Sequence, residues 1–429
     1  MQPIRVHISQ LGLVKAADIE LSPMMVFSGE SGLGKSYVAI ITHFFFHLWL
    51  NEKRLDSFFK TTLKNRCVNF SDSQIEEQGN ALTISREELE EWLAKEALNY
   101  LGYMLGCDCN GDDNEISVFL PPVIPNVISF SYERELMGID NNEDLYWKLT
   151  VMDLTYRFRQ LGIQDESPYS YVFRHAMIAK LFGNYQALST SMALPPSRGS
   201  FFTENISPKT GLFKNFIDGM KRLEAANEIQ DVISSEAVKL FQTIMEGNVQ
   251  KNGDKYMYTT HGDDLPIAAA ASSVREMAPL QLIVSKRDLK KTALLIEEPE
   301  AHLHPLKQSM IAEALGLMAN GGVYMQITTH SDYLLRRLND LLRLHILREK
   351  MPQEEYLNLC EDLEFNPELT LPNNIVNAYI LERREDGSVQ IRKQDVKKGI
   401  PFDTFEKING KPLVSSSKLY EVFLDYLTE

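Results

Sequence analysis

Gly29-Glu30-Ser31-Gly32-Leu33-Gly34-Lys35-Ser36 is the stretch that decides the fold, because its glycines, lysine and serine fit the eight-residue P-loop pattern. The apolar segment Met24-Met-Val-Phe before it reads as a strand, and residues 36–50 after it read as a long apolar helix. This order of strand, loop and helix is the context that the motif requires. The sequence therefore predicts a site that binds nucleotide phosphates.

Each part of the loop has a separate task. The glycines allow successive backbone N–H groups to point inward at the phosphates, and the helix N-terminus adds its partial positive charge. All eight residues from Gly29 to Ser36 are therefore candidates for nucleotide contact. We expect Lys35 to reach the β- and γ-phosphates and the Ser36 hydroxyl to bind Mg²⁺.

A second motif lies in the C-terminal half, where the apolar run Ala293-Leu294-Leu295-Ile296 is typical of a buried parallel strand. The acidic run Glu297-Glu298-Pro299-Glu300 ends it. Glu297 stands where most P-loop ATPases carry an Asp that holds Mg²⁺, and Glu298 is placed to act as general base on the attacking water. The alternative is a solvated acidic turn.

A third motif follows the next apolar run, Val323-Tyr-Met-Gln-Ile-Thr, and contains Thr329-His330-Ser331. A histidine just beyond a strand end can sense a γ-phosphate. A lone histidine is more often a structural group with its hydrogen bonds satisfied, so this interpretation depends on the other two motifs.

Taken together, the three motifs resemble the ATPase core of the OLD/RecF-like branch of the ABC-type ATPases, a group that includes the SMC heads. The resemblance is carried by Glu297-Glu298-Pro299-Glu300-Ala301-His302-Leu303-His304-Pro305 and by Thr329-His330-Ser331 about 25 residues later. It covers roughly residues 1–50 and 255–429. It implies that Glu298 is the catalytic glutamate, that His330 is the switch histidine, and that Pro299 to Pro305 lies at a dimer interface.

The resemblance also points to a signature segment, Ala270-Ala271-Ser272-Ser273-Val274-Arg275-Glu276-Met277, which lacks the usual glycine. It implies that Ser272, or as second choice Ser273, contacts the γ-phosphate bound by the opposite subunit. We expect a helix capped by these serines and kinked at Pro279. An ordinary helix cap without a role in nucleotide binding is the alternative.

Leu194-Pro195-Pro196-Ser197-Arg198-Gly199 is similar to a strand-end segment of the same family. The similarity implies that Arg198 contacts the nucleotide or relays its presence to the insertion. An arginine in a plain loop is the alternative.

The predicted fold class is α/β: a P-loop NTPase of the ABC-ATPase type, with an N-terminal antiparallel β subdomain and a helical insertion lobe. Residues 1–50 would form the first part of the ATPase head. Residues 51–254 would form a mainly helical insertion with some head strands, and residues 255–429 the second part of the head. A hairpin around Asp386-Gly387 and a last helix over residues 417–427 are expected in that second part.

Composition excludes several other classes. The chain has 429 residues with 44 basic against 59 acidic side chains, a net charge of −15, which argues against a surface coated for nonspecific nucleic-acid binding. Four cysteines form neither a disulfide framework nor a complete metal site. The N-terminus has no secretory signal and the most apolar segment is too short to span a bilayer, so we expect a cytoplasmic protein without a membrane partner.

The sequence thus predicts an Mg²⁺- and ATP-binding, ATP-hydrolysing head that dimerises head to head and controls a separate effector, such as a nuclease or toxin, or a nucleic acid. The resemblance implies a role in bacterial anti-phage defence or DNA maintenance. OLD nucleases carry a C-terminal TOPRIM domain, but the roughly 100 residues after His330 show no Glu…Asp-x-Asp pattern for one, so we expect no TOPRIM nuclease domain there. The alternative is an ATP-gated scaffold with little turnover, favoured by Glu297 in place of Asp and by the glycine-free signature.

Overall fold

The computed structural model describes residues 1–70, 75–111, 114–139, 142–159, 167–203, 207–228, 231–253 and 255–400. The helix predicted over residues 417–427 lies outside the described residues. A mixed nine-stranded sheet forms the centre of the molecule. From one edge to the other its strands are β5 (Asn114–Phe119), β1 (Arg5–Leu11), β2 (Val14–Glu20), β16 (Val389–Lys393), β15 (Val376–Arg383), β3 (Met24–Gly29), β14 (Tyr324–Thr329), β13 (Thr292–Glu297) and β9 (Thr190–Leu194).

The sheet has a parallel and a mainly antiparallel part. Strands β15, β3, β14, β13 and β9 run parallel to one another. Antiparallel pairs join β5 to β1, β1 to β2, and β15 to β16, the last being the hairpin predicted around Asp386-Gly387. The predicted α/β fold with an N-terminal antiparallel β subdomain is therefore confirmed.

Helices cover the sheet and build the insertion. They are α1 (Lys35–His47), α2 (Glu52–Ser57), α3 (Arg86–Leu105), α4 (Pro168–Phe182), α5 (Gly211–Glu224), α6 (Val232–Met245), α7 (Ser272–Lys286), α8 (Pro305–Asn320), α9 (Asp332–Lys350) and α10 (Gln353–Asp362). Within the described ranges, none of these helices combines the length and the apolar character needed to cross a membrane.

Both faces of the parallel strands are buried, which explains their continuous apolar sequences. All six residues of β3 and all six of β13 are buried. Because side chains alternate along a strand, Met25 and Phe27 join the hydrophobic core that contains α1, whereas Met24 and Val26 join the core that contains α7 and α8. The central strands are thus fixed from both sides, and their C-terminal ends are held at one edge of the sheet.

The insertion combines helices with a second, four-stranded antiparallel sheet. In spatial order that sheet consists of β4 (Gln78–Ser85), β6 (Val127–Ile139), β7 (Asn142–Val151) and β8 (Leu154–Arg159). Helix α3 follows β4 directly, and the Ser85 hydroxyl accepts a hydrogen bond from the backbone N–H of Glu88 at 3.1 Å, as expected for a helix cap. A small sheet of β10 (Asn248–Asn252), β11 (Lys255–Thr260) and β12 (Asp263–Pro266) precedes α7.

Candidate nucleotide-binding site

The P-loop connects β3 to α1 through a turn that needs glycine at two points. Gly34 caps α1 with a left-handed φ of 90°, and Gly29 has a φ of 131°. A Cβ atom at Gly29 would lie 2.4 Å from the carbonyl oxygen of Leu381 in β15. Both glycines are therefore required by backbone geometry and by the close approach of the neighbouring strand.

A cavity of about 380 Å³ opens above this loop. Its polar residues come from the P-loop and from the ends of β13 and β14, and include Ser31, Lys35, Ser36, Glu298, Thr328 and His330. Gly32, Leu33 and Gly34 also line it. The structure thus brings the three sequence motifs together, because parallel strands end at the same edge of a sheet.

One wall of the cavity was not predicted from sequence. The cavity is also lined by Tyr37 and by the turn between β1 and β2, with Leu11, Gly12 and Leu13, which together give it an apolar side. Leu13 is 50 % and Tyr37 40 % exposed, so both side chains are accessible to a molecule in the cavity. No local sequence pattern identifies these residues, because the turn is brought close to the P-loop only by strand pairing between distant parts of the chain.

Lys35 lies at the base of the cavity and is held by the loop itself. Its ammonium donates to the carbonyl oxygens of Gly29 at 3.0 Å and Glu30 at 2.8 Å. Those two residues do not line the cavity but orient the lysine that does. Burial lowers the pKa of Lys35 to about 8, while the nearby carboxylates, Glu298 foremost, oppose this shift. The side chain therefore remains a cation at neutral pH and is directed toward the place where phosphates are expected.

Glu297 and Ser36 form the candidate Mg²⁺ site. Glu297 is 6 % exposed, and burial raises its pKa to about 7, against the opposing effect of a hydrogen bond from Ser36. Its Oε1 atom is buried with no hydrogen-bond partner in the described part of the chain. A divalent cation held by this carboxylate and the Ser36 hydroxyl would satisfy that oxygen, and oxygen ligands are the type that Mg²⁺ prefers. The residues present therefore fit the predicted ion.

Glu298, the candidate general base, lies beside His330. Its backbone has a φ of 44°, an uncommon conformation for a residue other than glycine that turns the side chain away from the path of β13. Its Oε1 lies 3.4 Å from Nε2 of His330. The hydrogen bond from this histidine, helped by the charge of Lys35, lowers the pKa of Glu298 against the opposing effect of burial. Glu298 is thus ionised at neutral pH and able to accept a proton.

His330 links the loop to the acidic strand end. Its Nδ1 lies 3.3 Å from the Lys35 ammonium, which has only protons to offer, so Nδ1 is the acceptor and Nε2 carries the ring proton. Nε2 lies 3.3 Å from the Ser31 hydroxyl as well as near Glu298. A single imidazole therefore contacts the P-loop serine, the P-loop lysine and the candidate base.

Glu300 positions this histidine and was not assigned a role from sequence. Its Oε1 accepts hydrogen bonds from the Thr329 hydroxyl and from the backbone N–H of His330, both at 2.7 Å. It is 8 % exposed. The third acid of Glu297-Glu298-Pro299-Glu300 was the available signal, since a buried carboxylate near a strand end needs partners.

Arg198 lies outside the cavity, so the expectation of direct nucleotide contact does not fit its position. It is fully buried. Its guanidinium donates to backbone carbonyls of three segments, those of Pro195, Glu276, Glu297, Glu298 and Pro299, at 2.9 to 3.5 Å. It is therefore a connector between α7 and the end of β13, and a relay role stays a prediction.

The serine cap expected for α7 is wrong. The helix begins at Ser272, its N-cap residue is Ala271, and no side chain caps it. Because Ser272 is the first helical residue, its hydroxyl cannot take the capping position, and the residue is exposed. Pro279 lies inside the helix. Neither Ser272 nor Ser273 lines the cavity of its own chain, so their contact with a nucleotide bound by another subunit stays a prediction.

Comparison with known proteins supports an ATPase domain. Residues 202–335 match the AAA ATPase domain family, over about a third of the chain. The Old nuclease of Escherichia phage P2 is 23 % identical over 250 residues, which are 52 % of this chain and 42 % of that protein. The chain therefore spans less than half the length of this relative, and the predicted lack of a TOPRIM domain stays a prediction.

Similar solved structures are SMC heads. The SMC head domain from Thermotoga maritima covers 92 % of this chain at 8 % identity with a TM-score of 0.35, and the whole of that chain is matched. An SmcHead bound to the C-winged helix domain of ScpA covers 92 % of this chain and 98 % of its own at 11 % identity, with a TM-score of 0.38. At these TM-scores the likeness adds nothing to the topology and site described above.

Proposed function

We propose that this protein is an ABC-type ATPase head that binds Mg²⁺ and ATP at the P-loop cavity and hydrolyses the bond between the β- and γ-phosphates of ATP. The observation that carries the proposal is the meeting of Lys35, Glu298 and His330 around one cavity, although Lys35 lies about 260 residues from Glu298 in the sequence. A phosphate-binding site alone would need only the loop. An ionised glutamate held by a histidine at the same place adds the group that water activation requires.

The residues divide the work of hydrolysis. Lys35 and the inward backbone N–H groups of the loop bind the β- and γ-phosphates. Ser36 and Glu297 hold Mg²⁺, which neutralises charge on the phosphates when bound. Glu298 accepts the proton of the attacking water, and His330 keeps that carboxylate ionised and oriented. The apolar wall of Leu13 and Tyr37 is placed to contact the nucleotide base.

We further propose that two heads close on each other with ATP between them, and that closure controls a separate effector or a nucleic acid, in anti-phage defence or DNA maintenance. Two features support closure. Ser272 is exposed at the start of α7 and makes no capping bond within its own chain. Arg198 donates hydrogen bonds to the carbonyls of Glu276 in α7 and of Pro299. It therefore links the two segments that would face a second copy.

Two substitutions test the chemistry. Glu298→Gln should keep ATP affinity while lowering turnover by about 10²-fold or more, since positioned proton transfer is worth that much. Lys35→Ala should lose ATP binding, because it removes the cation that faces the phosphates. Equal turnover in Glu298→Gln and wild type would exclude Glu298 as the base. Tight binding of ATP with no turnover in the wild type would favour the ATP-gated scaffold instead.

A further inference from the structure

A second cavity, of about 620 Å³, lies in the insertion and shares no residue with the P-loop cavity. It is bounded by the segment that runs from the end of α1 through α2, by α3, and by α5. Nothing in the proposed hydrolysis uses it. Its volume falls in the range of sites for small organic ligands, about 300–1,000 Å³.

The side chains around this insertion cavity carry an excess of positive charge. Four bases line it: Lys53, Arg54, Lys95 and Arg222. The two acids are Glu96 and Asp218, and Glu96 is already paired with Arg54 at 2.7 Å. The other three bases form no ion pair with any residue in the described ranges. In a chain with a net charge of −15, this local excess of cations is suited to an anionic ligand.

His47 is close enough to two of these bases for their charges to act on it. It lines the cavity, and its pKa is lowered to about 4, first by burial and then by the charges of Arg54 and Arg222. The guanidinium of Arg54 lies over the ring of Tyr100, 5.7 Å from its centroid. The Tyr100 hydroxyl is buried without a hydrogen-bond partner in the described part of the chain, and Tyr100 also lines the cavity. An anion in the cavity would lie among the side chains of Arg54 and Arg222, which both line it.

Aromatic side chains also line the insertion cavity. Trp92 stacks on Phe58 with ring centroids 4.3 Å apart and an interplanar angle of 29°. Tyr103 lines the same cavity and is 45 % exposed. Flat aromatic faces beside arginine and lysine side chains are the combination on which nucleobases stack while their phosphates are neutralised.

We propose that the insertion cavity binds a nucleoside phosphate, either a free nucleotide or the 5′-phosphorylated end of a single strand. The phosphate contacts Arg222, Arg54 and Lys53, and the base stacks against Trp92. This site is independent of the P-loop, so its test does not depend on ATP hydrolysis.

Tryptophan fluorescence tests the proposal directly. The chain has three tryptophans, and Trp49 and Trp147 are 0 % and 1 % exposed, whereas Trp92 is partly exposed beside the cavity. Full-length protein carrying Lys35→Ala, which removes the P-loop lysine, is titrated with AMP, with a 5′-phosphorylated tetrathymidylate, and with adenosine. We expect saturable quenching by at least one of the phosphorylated probes and at least about tenfold weaker binding of adenosine. In Trp92→Phe the quenching should disappear while calorimetry still detects binding.

Matched variants separate this site from nonspecific charge attraction. Arg222→Ala and Lys53→Ala should each weaken binding by about tenfold, whereas Lys221→Ala, the exposed neighbour that does not line the cavity, should leave it unchanged. Tighter binding of AMP assigns the site to free nucleotides, and tighter binding of the tetranucleotide assigns it to strand ends. No saturable binding of either probe to a protein with the melting temperature of the wild type overturns the proposal. Equal loss of affinity in Lys221→Ala, or equal affinity for adenosine, overturns it as well.

Discussion

Two adjacent glutamates at the end of β13 have opposite protonation preferences. Burial raises the pKa of Glu297 to about 7, whereas the hydrogen bond from His330 lowers the pKa of Glu298. The positive φ of Glu298 separates them by turning its side chain toward the histidine, while Glu297 stays in the buried strand. Neighbouring titratable groups whose pKa values are shifted in opposite directions support the roles proposed for them, Glu297 as metal ligand and Glu298 as base.

The raised pKa of Glu297 predicts how Mg²⁺ binding depends on pH. Below about pH 7 the carboxyl group is protonated, and Mg²⁺ must displace that proton to bind. We therefore expect Mg²⁺ affinity, measured by calorimetry with ADP present, to weaken by about tenfold from pH 8 to pH 6, with proton release growing over the same range.

Glu297→Gln is the control for this measurement, because it removes the titrating group and keeps the side-chain length. It should bind Mg²⁺ more weakly and show only the pH dependence of the nucleotide itself. Identical pH profiles in the wild type and Glu297→Gln would show that Glu297 does not hold the ion.

At the scale of elements, Arg198 holds α7 to the end of β13. Its five carbonyl acceptors lie on three segments. Glu276 completes the arrangement by accepting a hydrogen bond from the backbone N–H of Gly199 at 3.0 Å. A Cβ atom at Gly199 would lie 2.9 Å from both the Arg275 Cβ atom and the Glu276 Oε1 atom, so α7 is seated directly against this turn. We therefore predict that movement of α7 is transmitted to the backbone that carries Glu298.

Arg198→Lys tests this connection. Lysine keeps the charge but cannot reach carbonyls on three segments with a planar set of donors. We expect a loss of about 2 kcal/mol or more in the free energy of unfolding, from carbonyls left without donors, measured by denaturant titration. ATP affinity should be retained because the P-loop is intact, and turnover should fall.

Arg275→Lys is the matched control, since Arg275 donates to the carbonyls of Ala268 and Ala270 and does not reach β13. It should keep wild-type turnover. Wild-type turnover in Arg198→Lys would show that the connection stabilises the fold without serving hydrolysis.

The sequence was informative where one local pattern specifies both an element and its chemistry. The runs that become β3, β13 and β14 are short and apolar and end in functional residues, and parallel strands must gather those ends at one edge. The roles of Arg198 and of the Leu11 to Leu13 turn were not accessible in this way. They depend on contacts between distant segments, which no local pattern encodes. The turn is placed by the pairing of β2 with β16 at Val14 and Val389, and Arg198 by its hydrogen bonds to the carbonyls of Glu276 and Glu297.

At the scale of the whole molecule, helix α1 connects the two cavities. It begins at Lys35 in the P-loop and ends at His47 in the insertion cavity, so about 20 Å separates its ends. His47 Nδ1 lies 3.3 Å from the hydroxyl of Ser191 in β9, and β9 pairs with the strand that carries Glu297. The proposed ligand site and the candidate ATPase site are therefore built on one continuous set of elements.

Head-to-head closure gives a prediction for the assembled molecule. With hydrolysis blocked by Glu298→Gln, ATP should hold two chains together, because Ser272 and the N-terminus of α7 would contact the γ-phosphate of the opposite copy. Light scattering should then report twice the chain mass of 49.0 kDa with ATP, and the single mass without it. An unchanged monomeric mass at saturating ATP would contradict closure.

Ser272→Arg separates an interface role from a purely structural one. Ser272 is exposed and lies outside the cavity of its own chain, so the substitution should leave ATP affinity intact. A long charged side chain at the proposed interface should nevertheless prevent the ATP-dependent doubling of mass and reduce turnover to the level of Glu298→Gln. Ser235→Arg, which places the same side chain at an exposed serine of α6, should change neither property. Full activity and normal doubling in Ser272→Arg would show that this segment is only the start of a helix.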